Sequence, residues 1–187
     1  MITNLSKWIS KLSTGWVTLI ALLVFLIFSA IALPGQSAKV ASYSGSAGSP
    51  DLSAYYSADD LYEMAETYGV EGRQAYIKAR FSFDLLFPII YMVFLCTAIS
   101  WINRRIFKTG SAWQLTNLLP IAAFLFDLLE NSAAALVIQR FPSRTPLVAA
   151  LAGYFTLLKW LFLGGSFIML VVGVFMVMVY PQNKRQA

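Results

Sequence analysis

Three residues inside one apolar run are of the types that do chemistry. Asp127, Glu130 and Asn131 stand at i, i+3 and i+4 within Leu115 to Ile138, so on a helix they share one face. Two carboxyl groups and an amide on such a face are suited to hold a cation, pass a proton or act as an acid–base pair. An ionised group near the bilayer centre costs between about 3 and over 10 kcal/mol, depending on the reference, so such side chains face a protein interior and a partner. Groups of opposite charge flank or enter other apolar runs. Arg80 precedes one of them with Asp84 four residues on, and Lys159 lies within another.

The spacing of Arg73, Tyr76, Arg80, Asp84, Pro88 and Tyr91 puts all six on one helical stripe. Pro88 lacks an N–H, so it releases the Asp84 carbonyl from its helical bond and favours a kink there. The candidate ligand-binding set is therefore Arg80, Asp84, Tyr91, Asp127, Glu130, Asn131 and Lys159. Among them Asp84, Asp127 and Glu130 face Arg80 and Lys159, which leaves one acid to be protonated or to bind something. The same groups admit an architectural reading, in which Arg80 pairs with Asp84, Lys159 neutralises Glu130 and Asn131 bridges helices to fix register.

Composition sets the medium in which these groups sit. Of 187 residues 58% are hydrophobic and 12% charged, about half the charged fraction of a soluble domain. Net charge is +5, but the bases gather at the ends of apolar runs. They read as topology signals, and no basic run interleaved with aromatics suggests a nucleic-acid surface. The chain has no histidine and one cysteine, Cys96, within an apolar run. That removes histidine metal sites, Ser–His and Cys–His catalysis and an internal disulfide. No catalytic residue, metal ligand or cofactor is singled out.

Four runs are long enough to cross a bilayer, at about 16–34, 81–102, 115–138 and 147–180. The first, Trp16 to Leu33, has a rival reading as a signal peptide with Ala30-Ile31-Ala32 before the cut, but it is long for a signal core. Pro34-Gly35 is expected to end it, and the Ser-, Gly- and Ala-rich residues 35–50 read as a flexible loop. Ser57 and Asp60 form a helix start. Leu61, Met64, Ala65 and Tyr68 then recur at helical spacing, which predicts an amphipathic helix over 57–68 lying at the membrane surface as a rim or lid. Gly69 and Gly72 interrupt it, and a new helix begins near Arg73. Gly164, Gly165 and Gly173 would admit a neighbouring helix closely.

The fold class is thus all-α, a four-helix transmembrane bundle in one domain, with an amphipathic surface helix in the external loop 35–80. Residues 1–14 read as polar, with Lys7 and Lys11. These two, with Arg104, Arg105, Lys108, Lys184 and Arg185, favour both termini in the cytoplasm. The loop 35–80 carries Asp51, Asp59, Asp60, Glu63, Glu66 and Glu71 against Lys39, Arg73, Lys78 and Arg80. In that topology Arg80, Asp84, Glu130, Asn131 and Lys159 share the outer third of the bilayer, with Asp127 at the floor of the cluster.

The pattern Tyr68-Gly69…Gly72-Arg73…Tyr76, then Asp84…Pro88…Tyr91, then Asp127-Leu128-Leu129-Glu130-Asn131, then Lys159-Trp160, resembles a family of uncharacterised prokaryotic four-span membrane proteins over about residues 55–180. The resemblance implies the four-helix architecture and a prokaryotic plasma membrane. In architecture alone the chain is also similar to the sterol-isomerase-like EXPERA group, although that group's catalytic pattern is absent here.

Three functions follow as expectations. The leading one is binding of a lipid or an amphipathic or cationic small molecule, or movement of a small solute. The second is an accessory subunit that docks a membrane-protein partner or a second copy of the chain. The third is an intramembrane isomerase-like enzyme with Asp127 and Glu130 as its acid–base pair.

Overall fold

A computed structural model describes residues 2–179; Tyr180, Lys184 and Arg185 lie outside the described residues. The chain is an all-α helical bundle. Its helices are α1 (Ile2–Leu12), α2 (Gly15–Ser44), α3 (Ala58–Thr67), α4 (Gly69–Arg80), α5 (Phe83–Ile106), α6 (Leu119–Arg140) and α7 (Pro146–Val179), with 3-10 turns over Gly45–Ala47, Pro50–Leu52 and Ala112–Leu118. Four stretches are long and apolar enough to cross a membrane: Gly15–Ser44, Gly69–Ile106, Ala112–Arg140 and Pro146–Val179. The most apolar window of the first is 0% buried and that of the last 11%, against 56% and 50% for the middle two. Leu, Ile, Val and Phe exposed in this way have lipid as their solvent, and the chain is a multi-span membrane protein.

Two compact units emerge. One comprises Met1–Leu26, Ile90–Ala123 and Leu161–Ala187; the other comprises Ile27–Ile89 and Phe124–Trp160. We call them the N-terminal and the acidic unit. In the N-terminal unit Asn117 is the tie. Its side-chain amide donates to the Ser6 carbonyl (3.2 Å), Ser10 Oγ (3.3 Å) and Ser100 Oγ (2.8 Å), which fastens α1 to α5 and to the turn before α6. Gly173 is a true contact glycine, since a Cβ there would meet Ile102 Cγ2 at 2.5 Å. Gly164 and Gly165 have open space at that position, so within this chain they admit no helix.

The acidic unit has a core of tyrosines and small residues. Tyr56, Leu61, Tyr62, Met64, Ala65, Tyr68 and Tyr76 pack with Ala133, Ala134, Val137 and Ile138 of α6 and Ala149 and Ala152 of α7. The helix start at Ser57 is as expected: Ser57 N donates to Asp60 Oδ2 at 2.8 Å and Asp60 N to Ser57 Oγ at 3.2 Å, a reciprocal capping box. The expectation of a surface helix over 57–68 is not met, because the apolar side of α3 is consumed by this core. Leu61 and Ala65 are fully buried, and Tyr62 Oη accepts from Thr145 N at 2.5 Å.

Two boundaries also differ, and a segment read only as polar proves to be a helix. Pro34 does not end the first span, and α2 runs on to Ser44. A proline removes only its own N–H from the ladder and crowds one carbonyl, and the far end of α2 is held by packing. Tyr43 meets the Tyr68 ring edge-on at 5.4 Å, and Gly72 lies against Tyr43 so closely that a Cβ would come within 3.3 Å of Tyr43 Cβ. The 35–50 segment is therefore mostly helix. Next, α4 starts at Gly69, whose φ of +62° suits glycine, rather than at Arg73, and Phe81-Ser82 form a turn before α5. Finally, residues 2–12 are helical because Ile2, Leu5, Trp8, Ile9 and Leu12 recur near the helical period.

Candidate functional site

The turn Pro50–Leu52 and the helices α4, α5, α6 and α7 each send a charged or amide side chain to one cluster. Its first centre is Arg80, at the last position of α4 and buried. One terminal nitrogen pairs with Asp51 Oδ2, Nε lies 3.2 Å from Asp84 Oδ2, and the other terminal nitrogen donates to Asn131 Oδ1 at 3.1 Å. The guanidinium also lies over the Tyr76 ring, 4.3 Å from its centroid, a cation–π contact strengthened by burial. The second centre is Lys159 on α7. Its ammonium pairs with Glu130 Oε2 and lies 3.3 Å from Asp127 Oδ1 and 3.7 Å from Asp51 Oδ1. Asp51 thus bridges the two cations.

Asn131 closes the network from α6. Its Nδ2 donates to the main-chain carbonyl of Asp84 at 3.3 Å, the carbonyl that Pro88 leaves without a helical donor. Tyr56 Oη lies 3.5 Å from Glu130 Oε1. Burial first, and the Glu130 carboxylate second, push the Tyr56 phenol well above its ordinary range, so it stays protonated and donates.

The structure brings together six of the seven candidates: Arg80, Asp84, Asp127, Glu130, Asn131 and Lys159. Tyr91 is buried two turns beyond Asp84 on α5, in the N-terminal unit, which resumes at Ile90. Arg73, on the same stripe, donates to the Ala65 carbonyl at 2.9 Å and lies over Phe141, so it finishes α3 instead of joining the cluster.

Sequence reasoning missed Asp51, which appears there only as one acid of a loop. Its place depends on how that loop is pinned. Tyr68 Oη donates to the Gly48 carbonyl at 2.7 Å, and Trp160 Nε1 donates to the Ser53 carbonyl at 3.0 Å. Gly153 lets the Tyr56 carbonyl sit directly on α7, where any Cβ would collide with it. Between these anchors Pro50 starts the 3-10 turn that carries Asp51 inward. Burial would raise the Asp51 carboxyl, but the Arg80 guanidinium, then the Lys159 ammonium, hold it down to about 2. Its side chain is 31% exposed, against 1% to 15% for the other acids of the cluster, so Asp51 is where the cluster meets the outside.

Chemically the cluster is an acid-rich cation cradle that already holds an ammonium, that of Lys159. Among the described residues no group of three or more His, Cys, Asp or Glu is arranged to hold a metal ion. No protein-family model, curated protein or solved structure matches this chain.

Proposed function

We propose that the cluster binds a small cationic or amphipathic ligand, or passes a small solute, in exchange for protons. The charge count carries this reading. Asp51, Asp84, Asp127 and Glu130 share Arg80 and Lys159, so full ionisation would leave two surplus negative charges in a largely buried site. Low-dielectric surroundings do not tolerate such a surplus, and protons or a bound cation must balance it. A group of carboxyls that must carry one or the other is built to trade them. The rim suits an amphipathic guest, because Tyr55 and Trp160 are exposed beside the loop that bears Asp51. The Tyr76 hydroxyl supports the same reading: it is buried and has no hydrogen-bond partner among the described residues.

The test is calorimetric titration of the protein in nanodiscs with a lipophilic quaternary ammonium such as tetrabutylammonium, in two buffers of different ionisation enthalpy. Wild type is expected to bind with proton release, and Asp127→Asn or Glu130→Gln to weaken binding roughly tenfold or more. If both variants keep the fold and bind like wild type, the reading fails.

A second reading is favoured by a separate observation. Arg80 is met from three other elements and Lys159 from two, as a structural hub of an accessory subunit would be. Under that reading the same substitutions lower stability and leave no binding to lose.

For orientation we propose both termini in the cytoplasm of a prokaryotic plasma membrane. The support is the resemblance described above together with the charge of the N-terminal unit, which carries Lys7, Lys11, Arg104, Arg105 and Lys108 and no acid.

A further inference from the structure

All nine acids of the chain fall in the acidic unit. The N-terminal unit therefore has no carboxylate side chain to neutralise its bases. It also contains a cavity of about 320 Å³ between α1 and the segment joining α5 to α6, lined in part by Lys7, Ser10, Lys11, Arg104, Thr109 and Ser111. That volume is at the lower end of the roughly 300–1,000 Å³ typical of small-molecule sites. Three cations and five hydroxyls with no acid among the lining residues is the chemistry of an oxyanion site. Two of these hydroxyls already accept a bond and keep their protons free to donate. Ser10 Oγ accepts from Asn117 at 3.3 Å, and Ser111 Oγ accepts from Trp113 N at 3.4 Å, so each has its own proton to give. The walls are tied rather than loose. Ser6 Oγ donates to the Gln114 carbonyl at 3.1 Å and Arg104 donates to the Ser13 carbonyl.

The same helix says where the anion comes from. α1 exposes Ile2, Leu5, Trp8 and Leu12 while Lys7 and Lys11 line the cavity. A helix with lysines on one side and Trp, Leu and Ile on the other lies in the headgroup region of a bilayer. An oxyanion site on such a helix is level with lipid phosphates. We propose that this cavity binds the phosphate of an anionic glycerophospholipid. This goes beyond the usual topological role of basic residues near span ends, because it requires specific lysines and a stoichiometry near one.

The test uses the full chain in nanodiscs made from an equal mixture of phosphatidylglycerol and phosphatidylcholine. Lipid retained on release is counted by native mass spectrometry. Wild type is expected to hold one phosphatidylglycerol in preference to phosphatidylcholine. The variant Lys7→Gln with Lys11→Gln is expected to lose that preference roughly tenfold or more, while Lys7→Arg with Lys11→Arg keeps it. Both pairs change exposed side chains, and circular dichroism checks that helicity is unchanged. Arg105→Gln with Lys108→Gln removes equal charge outside the cavity and is expected to change little. The proposal is overturned if that control loses as much as the Lys7 and Lys11 pair, because the attraction is then unspecific. It is also overturned if millimolar inorganic phosphate displaces the retained lipid, because the site then serves a free anion.

Discussion

Asn131 donates its side-chain amide to the Asp84 carbonyl at 3.3 Å, and this carbonyl lacks a helical donor because position 88 is proline. The same side chain accepts from Arg80 at 3.1 Å. One amide therefore repairs a proline defect in α5 and orients the guanidinium that two acids share. The arrangement couples the backbone of the second span to the charge of the cluster, since moving α6 would expose both a carbonyl and a cation.

That coupling predicts a non-additive pair of substitutions. Asn131→Ala leaves a buried guanidinium N–H and a partly buried carbonyl unsatisfied, at up to about 1–3 kcal/mol each. In a Pro88→Ala background the residue-88 N–H is restored for the Asp84 carbonyl, so Asn131→Ala should then cost measurably less. Denaturation of the four proteins in detergent, analysed as a double-mutant cycle, reads the coupling directly. Strict additivity would mean that the Asn131 bond to Asp84 does not repair the proline.

Among the described residues Lys159 is the one cation shared by Glu130, Asp127 and Asp51. Lys159→Met should cost about 3–5 kcal/mol, because it strands buried carboxyls with no partner of opposite sign. Adding Glu130→Gln should return part of that loss, since one stranded charge is removed. Thermal melts of the single and double variants check the order, and a double variant less stable than Lys159→Met would contradict it.

The charge alternation was legible in the chain because it depends on local spacing. Arg80 with Asp84, and Asp127 with Glu130 and Asn131, needed only the helical repeat. Lys159 followed once the spans were counted. Asp51 was not legible. It sits in a Ser- and Gly-rich segment with no periodicity, and its position is set by Trp160, Tyr68 and Gly153, which are distant in sequence. The surface helix was misplaced for a related reason. The pattern of α3 shows an apolar side, but it does not say whether lipid or Ala133, Val137 and Ala149 will cover it. Pro34 misled because a breaker rule for isolated helices ignores the packing of Tyr43 on Tyr68 and Gly72.

Acid should loosen the loop that carries Asp51. Its carboxyl is held at about 2, against 3.8 unperturbed. Because the folded value is the lower one, ionised Asp51 stabilises the fold above pH about 4, and this contribution fades as pH falls toward 2. Asp60, also lowered, by its bonds to Ser57, acts in the same direction. The gap in melting temperature between wild type and Asp51→Asn should be constant from pH 7 to about 5 and shrink between about 4 and 2. A gap that widens on acidification would reverse the sign of the Asp51 contribution.

Gly153 offers the sharpest test of how the loop reaches the cluster. In a free helix Gly→Ala is favourable by roughly 0.8–1.0 kcal/mol. At position 153, however, the added Cβ would run into the Tyr56 carbonyl, and a main-chain atom cannot swing aside as a side chain would. Gly153→Ala should therefore push residues 55 and 56 off α7, destabilise by about 1–3 kcal/mol and loosen the approach of Asp51 to Arg80 and Lys159. At Gly164 and Gly165 a Cβ meets nothing within 4 Å, so Gly164→Ala and Gly165→Ala should be neutral or stabilising by propensity alone. Melting temperatures of the three variants in the same detergent separate the cases. Equal behaviour at 153 and 164 would mean that the loop does not rest on α7, and the inward position of Asp51 would lose its support.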